Sequence, residues 1–312
     1  MVSASSSTAY LLIAHGSRDP RPQAAMNRLA QLVRDQLRER TVLNRPNQSF
    51  GADLKAAPYQ MMTAAAVVNL SAHQNRSAPT VFSDWDQQPP YPIVGTAYLE
   101  CTPLPLHQQL HEFCLRVKAA GVERVKLVPI FLLRGVHVTQ DIPQEVALAR
   151  EQLAGCMAID LCAHLGSHPR LEQVLKTKMA ATTAKSWLLL AHGSRQPGGN
   201  NSVEALAESL KASVAFWSVP PNLESQLVQL MQSGCQRIAI MPYFLFTGGI
   251  TDAITRVTEE LAERFPRVNF RLLPPLGATL EVARLAADIA LDGCPPSAGA
   301  LIKPMKRMAL RH

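Results

Sequence analysis

The chain has 312 residues, of which 47% are hydrophobic and 18% charged, so it is long enough for two domains with buried cores. This composition excludes a broadly disordered protein, and no apolar run approaches the roughly 20 residues of a membrane span. The formal net charge is +7, but neither a basic stripe nor interleaved aromatic residues accompany it. We therefore expect neither a nucleic-acid nor a membrane partner.

The first half begins with a predicted strand at residues 9–14 and a predicted helix at about 23–40, whose apolar residues recur at helical spacing. Residues 42–92 are rich in Pro, Asn, Gln and Ser and predict a long insertion, in which residues 59–70 could form a helix. Regular alternation then resumes. The remaining predicted elements of this half are strands at 93–99, 125–131 and 158–163, and helices at 106–120, after Asp141, and at 169–180.

Asp141 is predicted to cap the third helix of this half, with Pro143 in the first turn and Gln144 at the capping-box position.

The second half repeats the alternation of strands and helices. Its predicted elements are strands near 187–191, 214–219, 237–246 and 268–273, and helices near 201–212, 223–233, 253–264 and 279–291.

Strands separated by helices of 10–15 residues indicate right-handed βαβ units and parallel sheets. We therefore predict two similar α/β domains, at 1–182 and 183–295, with a cleft between them. A basic tail follows at 296–312.

One motif occurs twice: an apolar run followed by His-Gly-Ser-Arg, at His15 and again at His192, an offset of 177. The end of the second strand in each half gives a smaller offset of 118, from Glu100 to Ser218. The difference of 59 places the extra residues between the first helix and second strand of the first half. The Pro-rich stretch lies in the same place, so the duplication and the insertion support one another.

The candidate chemistry lies at three strand ends. His15, Glu100 and His137 follow the first, second and third strands, and the carboxyl ends of parallel strands share one edge of a sheet. Two imidazoles and a carboxylate can bind a divalent first-row metal and can accept protons. The residues alone leave open a second interpretation, in which both histidines only bond to loop backbone. In the second half Ser218 and Ile250 replace Glu100 and His137, so we assign no metal there.

The loops that bear the two histidines also carry Ser17, Arg18, Arg21 and Arg134, which can bind an anionic ligand. Surface charge is the alternative interpretation. No Walker A or Gly-x-Gly-x-x-Gly pattern occurs in the sequence.

Four other histidines are assigned no catalytic or metal-binding role. His107 and His111 are predicted to lie on a solvated helix face, and His164 and His168 to cap or solvate a loop. The six cysteines include no CxxC pair and are expected to be buried thiols of a reducing compartment.

Three ordered motifs resemble the sirohydrochlorin chelatases in their long, two-domain form. They are Leu-Ile-Ala-His15-Gly-Ser-Arg18-Asp-Pro-Arg21, Ala-Tyr-Leu-Glu100, and Val-Pro-Ile-Phe-Leu-Leu-Arg-Gly-Val-His137-Val-Thr-Gln-Asp-Ile-Pro143. The resemblance covers about 8–40 and 93–292, but neither the insertion nor the tail.

The resemblance implies a class II chelatase fold of two flavodoxin-like domains. It also implies insertion of Fe²⁺ or Co²⁺ into sirohydrochlorin, without ATP or an organic cofactor. Carried onto this chain, it makes His15, Glu100 and His137 the metal-binding and proton-accepting set. The arginines can steer the polyanionic substrate into the cleft. His192 is interpreted either as a structural remnant of the duplication or as a contact to the macrocycle. A non-catalytic tetrapyrrole or metal carrier, and a phosphate-ester enzyme using His-Gly-Ser-Arg, remain alternatives.

The internal duplication gives one chain both lobes, so we expect a monomer or a weak homo-oligomer. The first seven residues lack the apolar core of a signal peptide, and a cytoplasmic location is expected.

Overall fold

A computed structural model describes residues 8–43 and 92–292. Within them the strands are β1 Thr8–Ala14, β2 Val94–Tyr98, β3 Arg124–Pro129, β4 Ala158–Leu161, β5 Ser186–Ala191, β6 Ser213–Phe216, β7 Arg237–Pro242 and β8 Asn269–Leu272. The helices are α1 Pro20–Leu43, α2 Leu106–Ala119, α3 Ile142–Gln152, α4 Leu171–Ala180, α5 Asn201–Ser209, α6 Leu223–Gln232, α7 Gly249–Arg264 and α8 Leu280–Asp292. A π-helical turn at His137–Asp141 leads into α3, and a 3₁₀ turn at Leu165–Ser167 precedes α4.

The strands form two four-stranded parallel sheets, ordered β2-β1-β3-β4 and β6-β5-β7-β8. We call the β1–β4 half the first lobe and the β5–β8 half the second lobe. Both orders are flavodoxin-like. In each sheet the second strand lies on one side of the first strand, and the third and fourth strands lie on the other side, so the strand order reverses at the first strand. The predicted duplication into two parallel α/β units is confirmed.

Helices cover both faces of each sheet, which explains why the central strands are continuously apolar. Successive residues of β1 alternate between two cores: Leu11 packs with α2 and α3, while Leu12 packs with α1 and α8. Burial of each such side chain stabilises the fold by about 1.5–3 kcal/mol. The inner faces of both sheets contribute to one shared core, so the lobes pack together through apolar side chains. None of the helices in the described ranges could span a membrane.

The last helix belongs by sequence to the second lobe but packs on the first. α8 contacts α1 and β3. The ammonium of Lys126 in β3 donates to the carbonyls of Ala290 (2.8 Å) and Leu291 (3.1 Å) at the end of α8, and Arg40 of α1 pairs with Asp288. A cation at a helix C-terminus is favourable because the unsatisfied carbonyls there carry partial negative charge. The first lobe is thus completed by a helix from the predicted 183–295 domain.

Several predicted boundaries differ from the structure. α1 begins at Pro20 rather than 23, because proline is tolerated in the first helical turn, where its missing N–H costs no bond. β7 ends at Pro242 rather than 246, and α7 begins at Gly249 rather than 253. The predicted domain boundary after residue 182 falls between α4 and β5 and stays a prediction. Most of the 42–92 insertion, its 59–70 helix and the 296–312 tail lie outside the described residues.

Two histidines have partners that sequence reasoning missed. His107 is not on a solvated face: its side chain is 18% exposed, and its Nδ1 lies 2.9 Å from Glu145 of α3. His168 does cap a loop, since its Nδ1 accepts from the Arg170 N–H at 3.1 Å. Its side chain is only 8% exposed, its Nε2 lies 3.4 Å from Asp288, and burial lowers its pKa.

The expectation that the cysteines are buried thiols is confirmed for Cys114, whose burial raises its pKa to about 12. It is wrong for Cys101 and Cys156, which are exposed, and for Cys162, which is disulfide-bonded.

Candidate metal centre

Two of the three predicted ligands leave adjacent strands side by side. The pairing of β1 with β2 continues past both strands, because the Leu99 N–H donates to the Ala14 carbonyl (3.0 Å) and the Glu100 N–H to the His15 carbonyl (2.8 Å). Gly16 then turns the chain with a φ of +97°. A Cβ at Gly16 would lie 1.9 Å from the Glu100 carbonyl oxygen, so this close approach requires glycine.

The third predicted ligand reaches the same edge from β3. Ile130 follows β3 and its N–H donates to the Ile13 carbonyl at 2.7 Å, which keeps the two chains paired up to the edge. The loop then enters the π-helical turn, whose first residue is His137. The rings of His15 and His137 lie 4.7 Å apart, centroid to centroid, with an interplanar angle of 86°. The predicted convergence of these strand ends is therefore present in the structure.

One ligand atom from each of His15, Glu100 and His137 lies within 4.8 Å of the other two. In residues 8–43 and 92–292 no other group of three His, Cys, Asp or Glu side chains has this geometry. His15 Nε2 and Glu100 Oε2 are 4.0 Å apart, and these side chains are 51% and 55% exposed. The cluster is therefore open to an ion and to a large ligand.

The Nδ1 atoms of both histidines are engaged by neighbouring groups. His15 Nδ1 lies 3.2 Å from the Gly16 carbonyl, and His137 Nδ1 lies 2.7 Å from Asp141 Oδ2. The prediction that Asp141 caps α3 is wrong, because Asp141 is helical (φ −65°, ψ −51°) and its side chain makes no capping bond. The π-helical turn extends the helix back to His137, so Asp141 faces the histidine instead.

The second lobe repeats the backbone of this site but retains only one of its three ligand types, His192. Gly193 has a φ of +85°, and the Ser218 N–H donates to the His192 carbonyl at 2.9 Å. The Ser218 hydroxyl donates to the same carbonyl at 2.8 Å, and Ile250 is exposed at the position that corresponds to His137. His192 therefore has no second protein ligand at the equivalent strand ends.

Arg21, expected to bind an anionic ligand, already holds two carboxylates. From the first turn of α1 it donates to Asp19, the residue before that helix, and, at 3.0 Å through Nη1, to Asp252 in the first turn of α7. These bonds hold the pKa of both Asp19 and Asp252 below the usual range. A Cβ at Gly248 would lie 3.6 Å from Pro22, so the two lobes meet closely here. Arg21 thus links the lobes, a role that no local sequence pattern could indicate.

The other anion-binding candidates remain available. Arg18 and Arg134 are exposed and have no ion pair within the described part of the chain. The Ser17 oxygen accepts from the Asp19 N–H at 3.0 Å, which leaves its own hydroxyl proton free to donate. Half-buried His164 lies near Arg134, and burial together with the Arg134 charge lowers its pKa.

Two flavodoxin-like lobes with one His/Glu/His cluster at the carboxyl edge of the first sheet define this protein as having the class II chelatase fold. The family model described as CbiX matches residues 71–182 and again 186–291, one match for each half of the chain. The chain therefore belongs to the CbiX family.

Two curated relatives come from Priestia megaterium. The sirohydrochlorin ferrochelatase is 26% identical over 195 residues, which cover 57% of this chain and 71% of that protein. The sirohydrochlorin cobaltochelatase is 22% identical over 232 residues, covering 69% and 72%.

Among solved structures, SirB from Bacillus subtilis with Fe³⁺ superimposes with a TM-score of 0.61 at 18% identity, over 90% of this chain and 93% of that one. SirB from Bacillus subtilis subspecies spizizenii in complex with cobalt gives a TM-score of 0.58 at 19% identity, covering 91% and 93%. At these identities the structures establish the shared fold.

Proposed function

We propose that this protein is a sirohydrochlorin chelatase, which inserts Fe²⁺ or Co²⁺ into sirohydrochlorin without ATP or an organic cofactor. The observation that carries the proposal is the cluster of His15, Glu100 and His137 at one sheet edge. Membership of the CbiX family and the names of the curated relatives support the same activity.

The spacing of the cluster suits a first-row divalent ion. An ion about 2.1 Å from each of three ligands in tetrahedral geometry holds the ligand atoms about 3.4 Å apart. His15 Nε2 and Glu100 Oε2, at 4.0 Å, need to approach each other by about 0.6 Å. All three ligand atoms lie within 4.8 Å of one another, so no pair needs to close by more than about 1.4 Å. Small side-chain rotations are enough to bind the substrate ion.

The same residues can complete the insertion. Three protein ligands leave coordination positions open, so pyrrole nitrogens can replace the protein ligands one at a time. Each metal that enters displaces two N–H protons from the macrocycle, and a neutral imidazole or the Glu100 carboxylate can accept them. The exposure of His15 and Glu100 allows the macrocycle to approach them and the protons to leave to solvent.

Sirohydrochlorin carries many carboxylates, and the available cations lie beside the cluster. Arg18 follows His15 by three residues, and Arg134 precedes His137 by three. Because neither has a carboxylate partner within the described residues, both can pair with the substrate. Ser17 and His192 complete the proposed substrate-binding set. Since one chain carries both lobes, we propose a monomer or a weak homo-oligomer as the working form.

The test is incubation of the purified protein with sirohydrochlorin and either Fe²⁺ or Co²⁺, followed by absorbance of the macrocycle. A chelatase at catalytic concentration converts a large excess of substrate. The main alternative, a tetrapyrrole or metal carrier, would change the spectrum only up to one equivalent per chain. A phosphate-ester enzyme would leave the spectrum unchanged.

The twin histidines should differ in function. His15→Ala should lose metal affinity, whereas His192→Ala should keep it, because only His15 has Glu100 and His137 as co-ligands. Titration of Co²⁺ without tetrapyrrole measures this difference, and turnover is measured separately. Equal loss of affinity in both variants would show that the metal site spans both lobes. Weaker sirohydrochlorin binding by His192→Ala, with Co²⁺ affinity retained, would place His192 beside the macrocycle.

A further inference from the structure

In the described part of the chain, the Asp141 side chain has one hydrogen-bonding partner, His137. Its Oδ2 lies 2.7 Å from His137 Nδ1, and its carboxylate is 42% exposed. It does not cap the helix, and no lysine or arginine pairs with it there. Because the Asp141 carboxylate bonds to a candidate metal ligand and not to the helix backbone, helix stability does not explain its position.

We propose that Asp141 is a positioning residue: it holds His137 in the Nδ1–H tautomer and so directs the Nε2 lone pair at the substrate metal. This inference rests on the proposed function. It adds a residue that lies outside the His15, Glu100 and His137 set.

The physical reason is the ambiguity of a neutral imidazole. Either ring nitrogen can carry the proton, and only the other can bind a metal. A carboxylate at hydrogen-bond distance from Nδ1 accepts a hydrogen bond from Nδ1–H, which fixes the tautomer and the ring orientation and makes Nε2 more basic. The bond from Nδ1 to Asp141 is short and charge-assisted. His15 has a weaker equivalent, a carbonyl at 3.2 Å, so Asp141 provides the stronger constraint in this cluster.

The internal duplication supplies an independent observation. Before α3 in the first lobe and α7 in the second, corresponding residues differ in number by 113: Pro129 corresponds to Pro242, and Gly135 to Gly248. On the buried faces of these two helices the difference is 112, because Ile142 of α3 corresponds to Ile254 of α7. The first lobe therefore has one additional residue in between.

That additional residue falls within the π-helical turn, His137–Asp141, where the hydrogen bond runs from the Ile142 N–H to the His137 carbonyl. A π-helical bond encloses one residue more than an α-helical bond, so the turn absorbs the insertion without rotating the buried face of α3. In the second lobe α7 is a regular helix, and Ile250 occupies the place of His137. The π-helical turn and the histidine thus occur together in the one lobe that has the cluster.

The test compares Asp141→Ala, Asp141→Asn and a matched control in the full-length protein. Glu145→Gln is the control, because Glu145 lies one turn further along the helix and contacts His107 Nδ1 in the same way, at 2.9 Å, away from the cluster. Two quantities are measured: Co²⁺ affinity without tetrapyrrole, and the ¹⁵N chemical shifts of the His137 ring, which report its tautomer.

Asp141→Ala should weaken Co²⁺ binding by about 10–100-fold and move the His137 proton partly to Nε2. Asp141→Asn keeps a neutral acceptor, so it should retain the tautomer and lose less affinity. Glu145→Gln should change Co²⁺ affinity by less than about twofold. The Asp141 side chain is half-exposed, so both Asp141 variants are expected to melt with the wild type.

The proposal is overturned if Asp141→Ala keeps the wild-type tautomer, or if its Co²⁺ affinity equals that of Glu145→Gln. These outcomes are distinct from failure of the proposed function. A wild-type protein that binds Co²⁺ through His137 but does not metallate sirohydrochlorin would disprove the chelatase activity and leave the role of Asp141 standing. An active chelatase with an unaltered Asp141→Ala variant would do the reverse.

Discussion

His137→Ala and His15→Ala should each lower the rate of metal insertion by about 10²–10⁴-fold, the range expected when a group that binds the metal or accepts protons is removed. Each variant leaves two ligands of three and one fewer proton acceptor at the sheet edge. Both side chains are partly exposed, so the truncation leaves no cavity in a core. The fold should therefore persist, with a native circular dichroism spectrum and an unchanged melting temperature.

The measurement is turnover with sirohydrochlorin and saturating Co²⁺, repeated at higher Co²⁺ to separate weaker binding from slower insertion. His111→Ala is the control, because His111 lies on α2 and is not part of the cluster. It should retain activity within about twofold. Near-normal turnover by either His15→Ala or His137→Ala would remove that histidine from the proposed site.

The convergence of the cluster could be predicted from sequence because it follows from strand order alone. Parallel strands end at the same edge, so residues one position beyond β1 and two beyond β2 must become neighbours once the strands pair. For His137 to join these two residues, the loop after β3 had only to return to the same edge of the sheet. The offsets between the two halves likewise located the insertion without any knowledge of its structure.

The position of α8 could not be predicted in the same way. Its apolar face shows that it covers something, and periodicity does not say which sheet. Its buried residues, among them Val282, Ala283 and Ala286, would suit either lobe. The choice depends on long-range contacts, such as the bond from Lys126 to the Ala290 carbonyl, which involve residues 164 positions apart.

The role of Asp141 was missed because two structures share one sequence pattern. An aspartate shortly before a proline is typical of a helix N-cap, and it suits a π-helical turn equally well. The available signal was the spacing of His137 and Asp141, four residues apart, which places two side chains on one helical face. For Arg21 no such signal exists, since Asp252 lies 231 residues away.

Gly16→Ala should damage both the fold and the metal site. The added Cβ would lie 1.9 Å from the Glu100 carbonyl oxygen and 2.8 Å from its carbonyl carbon. These are backbone atoms, so β2 must move or the Gly16 turn must change. Alanine is also strained at a φ of +97°. Strain and overpacking together should cost about 2–5 kcal/mol, which lowers the melting temperature by roughly 4–10 °C.

The loss of activity should exceed the loss of stability. Opening the contact from 1.9 Å to the 3.0 Å that real Cβ atoms require displaces the Glu100 backbone from His15 by about 1.1 Å. Misplacement of a reacting group by about 1 Å can cost about 100-fold in rate. We therefore expect metal insertion by the folded variant, assayed well below its melting temperature, to fall by about two orders of magnitude. Co²⁺ affinity should fall with it.

Alanine variants at two other glycines separate the effect of backbone strain from the effect of the steric clash. Gly121→Ala, at a φ of +81° with no atom within 4 Å of the new Cβ, has the strain without the clash and should lose stability only. Gly193→Ala repeats the strained turn in the second lobe, where the Cβ would meet Val219 and Phe216, and it should leave Co²⁺ affinity intact. If Gly16→Ala behaved like Gly121→Ala, with stability reduced but insertion normal, then the backbone contact between His15 and Glu100 would not set the geometry of the metal site.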